Sequence, residues 1–225
     1  MLYFQGTSFT KVGILSGHKR LPLALSMWYP LVIWLCRNSI FRNWGADNII
    51  LLQIVFILLG AIGLATGQLA WGIAGCIAIL LSNLFAVALR ELPGKAGNGG
   101  TVLVAIVDLF CEQIVVIGAA KGTMPQMGAS IWLWASFAII GSGTVLMVAN
   151  RISLLVPEIT YEPLPRSIVG VFYELMPLQR NLAIIGVITS QKLLTIILGA
   201  VIPNFFWIAW IIALYQKEKI YSSKV

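Results

Sequence analysis

The sequence predicts an all-α, polytopic membrane protein: six transmembrane helices preceded by an interfacial amphipathic helix. Three observations lead there. Of the 225 residues, 59% are hydrophobic and 10% are charged, whereas soluble domains carry about 25% charged residues. The mean hydropathy is +0.93, and apolar surface on that scale calls for lipid as solvent. The basic residues fall between the apolar runs, on alternate connections, as membrane topology requires.

Residues 2–6 read Leu-Tyr-Phe-Gln-Gly, the tail of a common protease-cleavage tag, so residues 1–8 are set aside as a tag remnant. Residues 9–47 hold the N-terminal region. Within it, Leu21–Phe41 is apolar but broken by Pro22 and Pro30, and it carries Trp28, Tyr29, Trp34 and Arg37. Those residues suit a helix lying at the headgroup level; a seventh span is the alternative for this stretch.

A membrane-crossing helix needs about 20 mostly apolar residues. Six stretches between residues 48 and 216 meet or approach that length: Asn48–Thr66, Leu69–Arg90, Thr101–Lys121, Gly128–Asn150, Asn181–Leu198 and Val201–Tyr215. Small residues recur at helix-packing spacing in Gly63 with Gly67, Gly72 with Cys76, and Gly118 with Gly122, which favours close helix approach. The connection Arg151–Arg180 contains Pro157, Pro163, Pro165 and Pro177, and residues 217–225 form a basic tail.

An even number of spans puts both termini on one side. Arg37, Arg42, Arg90, Lys95, Arg151, Arg166, Arg180, Lys217, Lys219 and Lys224 all fall there, against Lys121 on the other. The positive-inside rule then places both termini in the cytoplasm. The net charge of +7 is read as topology, and no nucleic-acid partner is expected. His18 is the sole histidine, and Cys36, Cys76 and Cys111 are scattered. That composition argues against a histidine-based metal centre, a Ser-His-Asp triad, a zinc site and a disulfide framework.

Charges inside spans are costly and are the default functional residues. Asp108 and Glu112 lie four apart in the third span and share one helix face, and Lys192 lies inside the fifth. In one reading Lys192 balances the acids and the group joins helices. In the other, the acids bind a cation or a substrate group. Gly94–Gly100, with Lys95, lacks P-loop spacing and reads foremost as a connector. Arg90, Arg151 and Arg180 suit headgroup anchoring one by one; together with Lys95 they form a candidate site for an anionic lipid or a phosphorylated ligand.

The layout resembles that of the CDP-alcohol phosphotransferases, whose signature is D-x-x-D-G-x-x-A-R-x8-G-x3-D-x3-D. Ser82-Asn83-Leu84-Phe85-Ala86-Val87-Ala88-Leu89-Arg90 stands at the opening of that signature, with Arg90 in agreement. Asp108-Leu109-Phe110-Cys111-Glu112 stands at its close. Asp47-Asn48 is similar to the family's Pro-Asn entry to the first span, and Tyr173–Arg180 to its basic, proline-containing entry to the fifth. The resemblance implies enzymes that displace CMP from a CDP-alcohol with a hydroxyl group. It also implies that Asp108 and Glu112 hold Mg²⁺ or Mn²⁺ and that Glu112 is the catalytic base. Ser82 and Phe85 replace the first two signature carboxylates, and Phe85 has no ligating atom. The expected function is therefore a non-catalytic accessory or scaffold subunit of a membrane complex, a pseudoenzyme that binds lipid. Its expected partners are membrane lipids and membrane proteins or a second copy. The alternatives are an active transferase of phospholipid biosynthesis with a rearranged site, and an ion or proton transporter subunit.

Overall fold

A computed structural model of the chain describes residues 30–32, 34, 44–91, 100–155 and 177–222. Among them the ordered elements are all helical: α1 (Ala46–Ala65), α2 (Leu69–Glu91), α3 (Gly100–Met127), a 3₁₀ turn (Gly128–Ser130), α4 (Ile131–Leu155), α5 (Leu178–Ile188) and α6 (Lys192–Ser222). Three of these hold stretches long and apolar enough to cross a membrane: Ala46–Ala65, Leu69–Leu89 and Lys192–Ala209. Their outward faces carry bare Leu51, Leu59, Ile62, Trp71, Ile77 and Phe205, a surface that lipid solvates and water does not. The chain is thus compatible with an integral membrane protein.

The turns explain where the helices stop. Gly67, at φ +72°, closes α1, donating its N–H to Leu64 O at 3.2 Å. Gly128, at φ +64°, follows the end of α3. Glycine reaches that left-handed region without a steric penalty, so it is the natural stop signal. Small residues then set the packing distances. A Cβ on Gly63 would lie 2.6 Å from Trp71 O, and one on Gly75 would lie 2.7 Å from Gly60 O. Antiparallel α1 and α2 therefore touch backbone to backbone. Gly118 and Gly122 bring α3 equally close to Ala61 and Leu64 of α1. Packing of this kind holds helices together in lipid, where no hydrophobic force drives them to associate.

The last two helices depart from the sequence reading. A boundary is expected near residues 199–200, yet α5 stops at Ile188 and α6 runs unbroken from Lys192. The break is Thr189-Ser190-Gln191, polar residues with Ser190 at φ +57°. Pro203 does not end α6 because its disruption is repaired. It has no N–H to give to Gly199 O, four residues back. The Gln179 side chain fills that vacancy, donating Nε2 to Gly199 O at 2.8 Å. The expected tail at 217–225 also continues as helix to Ser222.

Among the described residues, three buried apolar clusters run through the bundle. Val32, Ile49, Leu84, Phe85 and Val87 fill the end where α1 begins. Ile57, Cys76, Ile79, Cys111, Val115 and Val187 join α1, α2, α3 and α5. Val116, Ala120, Ala135, Ala138, Ile196 and Ala200 join α3, α4 and α6. Most of the Leu21–Phe41 stretch lies outside the described residues; of those described, Val32 is buried and Leu31 and Trp34 are exposed.

Candidate functional site

Between the first two clusters sits a group of polar side chains. Gln53 of α1, Ser82 and Asn83 of α2, Glu112 of α3 and Arg180 of α5 are all buried, Arg180 at 0% exposure. Asp108 is partly buried beside them. Asp108 and Gln53 lie eight and seven residues inside their helices, so the group sits roughly 10 Å in from the end where α1 and α3 start.

Arg180 is the centre. Its Nη2 lies 2.9 Å from Asp108 Oδ1, and its Nε lies 2.9 Å from Glu112 Oε1. The first contact is a hydrogen-bonded ion pair. The second is an ion pair without an aligned hydrogen bond. Nη1 donates to Asn83 Oδ1 at 2.9 Å, and Nη2 also donates to Asp108 O at 3.1 Å. One planar guanidinium thus joins α2, α3 and α5, which its fixed fork of donors suits better than a lysine would.

The acids have further partners. Gln53 donates Nε2 to Asp108 Oδ1 at 2.8 Å, which brings in α1. Glu112 Oε2 accepts the backbone N–H of Gln179 at 2.7 Å. That N–H is one of the unpaired donors at the start of α5, whose N-cap residue, Pro177, makes no side-chain cap. A carboxylate from α3 therefore caps α5, where the helix dipole favours negative charge. Gln179 turns the other way, donating Nε2 to Ser142 Oγ at 3.2 Å as well as to Gly199 O. The first turn of α5 thereby links α1–α3 on one side to α4 and α6 on the other.

The sequence-expected residues divide as follows. Asp108 and Glu112 do come together on one face, as their spacing requires. Lys192, expected to balance them, instead opens α6 and donates Nζ to Gly67 O at 2.8 Å, at the far end of α1. Arg180, expected at the headgroup level, is the cation that pairs with the acids. The side chains of Arg90 and Arg151, and Lys95 as a whole, lie outside the described residues. Gln53, Asn83 and Gln179 were not singled out from the sequence. Their signal was available: each is a carboxamide in or beside an apolar run, where an unpaired polar group is costly.

The positions that depart from the transferase signature have structural work. Ser82 donates Oγ to Gln53 O at 3.1 Å. Phe85 stacks on Phe56 with centroids 5.5 Å apart. The residues present do not fit a divalent metal while Arg180 is in place. Asp108 Oδ1 and Glu112 Oε1 both face its guanidinium, and no group of three or more His, Cys, Asp or Glu suited to a metal occurs among the described residues. No protein-family model, no curated protein and no solved structure matches this chain.

Proposed function

We propose that this chain is a non-catalytic membrane subunit: six spans, an interfacial N-terminal helix and both termini in the cytoplasm, serving as an accessory or scaffold that binds lipid. One observation carries the reading. The two acids that the transferase resemblance would assign to metal are engaged by Arg180, a side chain of the same protein. A carboxylate paired with a guanidinium and capping a helix is committed to structure. The surrounding residues join the same group: Gln53 donates to Asp108, Asn83 accepts from Arg180, and the Gln179 backbone N–H donates to Glu112.

The active transferase is the second reading, and a specific observation favours it. Asn83, within the stretch resembling the signature's opening, meets Arg180 beside Asp108 and Glu112, so the two halves of the motif share one site. An ion relay finds less support, because Lys192 is tied to Gly67, well away from the acids along α1.

The test is CMP release by the purified protein supplied with CDP-diacylglycerol, a hydroxyl acceptor and Mg²⁺ or Mn²⁺. No release is expected. Metal-dependent release that Asp108→Asn abolishes would sink the non-catalytic reading and establish the transferase.

A further inference from the structure

The guanidinium of Arg180 is surrounded by oxygens. Asn83 Oδ1 faces Nη1 at 2.9 Å, Asp108 Oδ1 and Asp108 O face Nη2 at 2.9 and 3.1 Å, and Glu112 Oε1 faces Nε at 2.9 Å. A fifth oxygen belongs to Gln53, whose amide nitrogen bonds Asp108. Gln53 is 0% exposed, and its Oε1 is buried without a hydrogen-bond donor. These oxygens come from α1, α2 and α3, whereas the cation comes from α5. Two carboxylates, two carboxamides and a backbone carbonyl are the hard ligands that Mg²⁺ and Mn²⁺ select.

We propose that Arg180 is a built-in counter-ion: α1, α2 and α3 form an oxygen-lined cation site, and α5 fills it with its own guanidinium. The bundle therefore closes without a dissociable ion. Removing the guanidinium uncovers a site for a small divalent cation. The proposal rests on the non-catalytic reading, since metal-dependent CMP release that needs Asp108 would put a dissociable ion where Arg180 sits and would sink both. The experiment below bears on Arg180 alone, so its failure would leave the non-catalytic reading standing.

The experiment is thermal unfolding of the purified protein in detergent micelles, with EDTA, with millimolar Mg²⁺ or Mn²⁺, and with ethylguanidinium. The unsubstituted protein should unfold at the same temperature in all of them. Arg180→Ala should lower the midpoint by roughly 10 °C, since stripping one partner from buried charges is strongly destabilising. Mg²⁺, Mn²⁺ or ethylguanidinium should then restore at least half of the loss, because a ligand that binds only the folded state stabilises it. The triple variant R180Q/D108N/E112Q should approach the original midpoint and ignore all three additives. Loss of stability of the unsubstituted protein in EDTA would overturn the proposal. So would an Arg180→Ala protein as stable as the original, or one that neither divalent ions nor ethylguanidinium restore. If Arg180→Ala gives no folded protein, the triple variant decides: its recovery of folded protein supports a counter-ion role, and its failure overturns it.

Discussion

The two acids are chemically alike but differ in what they hold. Glu112 has a side-chain exposure of 10%, pairs with Arg180 and caps α5. Asp108, at 17%, pairs with Arg180 and receives Gln53. Glu112→Gln is expected to cost about 3 kcal/mol, because it removes a buried charge from both a guanidinium and a helix start. Asp108→Asn should cost less, about 1–2 kcal/mol, because its greater exposure lets water screen the change. Combining them should cost more than the sum, since only the pair leaves Arg180 without a carboxylate among these partners. Denaturant titration in micelles measures all three, and strict additivity would show that the acids do not share Arg180. Much of this was legible in the sequence: two carboxylates four apart in an apolar run must face one way and must find a cation. Which cation was not legible. Lys192 sits deeper in an apolar run and looked the better partner, whereas Arg180 follows a proline-rich connection and looked superficial. Only the short length of α5, whose first turn is buried, brings Arg180 inside.

At the level of helices, α5 and α6 are coupled through the Gln179 side chain as well as by the close packing of Gly186 on Thr195. Gln179 donates to the Gly199 carbonyl that Pro203 leaves without a partner. Gln179→Leu should therefore cost about 1–3 kcal/mol, the penalty for a buried polar group left unsatisfied. Pro203→Ala would restore an N–H for that carbonyl within α6. The double variant Q179L/P203A should accordingly be more stable than Q179L alone, although two native features are gone. Equal stability of the two, measured by the same titrations, would mean that Gln179 acts only through Ser142. The misplaced boundary has the same origin. Proline and glycine near residues 199–203 are helix-breaking signals, and a sequence does not show that a glutamine twenty residues upstream cancels them. The break at 189–191 carries only polar residues, a weaker signal, and becomes decisive because Ser190 adopts a left-handed conformation there.

At the scale of the molecule, helix packing sets a direction for each element. Gly60 and Gly63 of α1 meet Gly75 and Trp71 of α2 in antiparallel order, and Gln53, Ala61 and Leu64 meet Asp108, Gly118 and Gly122 of α3 in parallel order. Asp47 and the turn at Gly128–Ser130 therefore lie at opposite ends of the α1–α3 unit. Whether those ends face opposite sides of a membrane depends on α3 crossing it, and which end is cytoplasmic depends on the basic residues. A cysteine label answers both questions. Cys76 and Cys111 are buried, so a chain with Cys36 replaced by serine gives a quiet background. Asp47 and Ser130 are both exposed and accept the probe residue without disturbing the core. In intact cells, Ser130→Cys should react with a membrane-impermeant maleimide, and Asp47→Cys should react only after permeabilisation. The reverse pattern would leave the bundle intact but invert it, against the positive-inside rule. Reaction of both from the same side would mean that α3, with its buried acids, does not span, and the six-span architecture would fall with it.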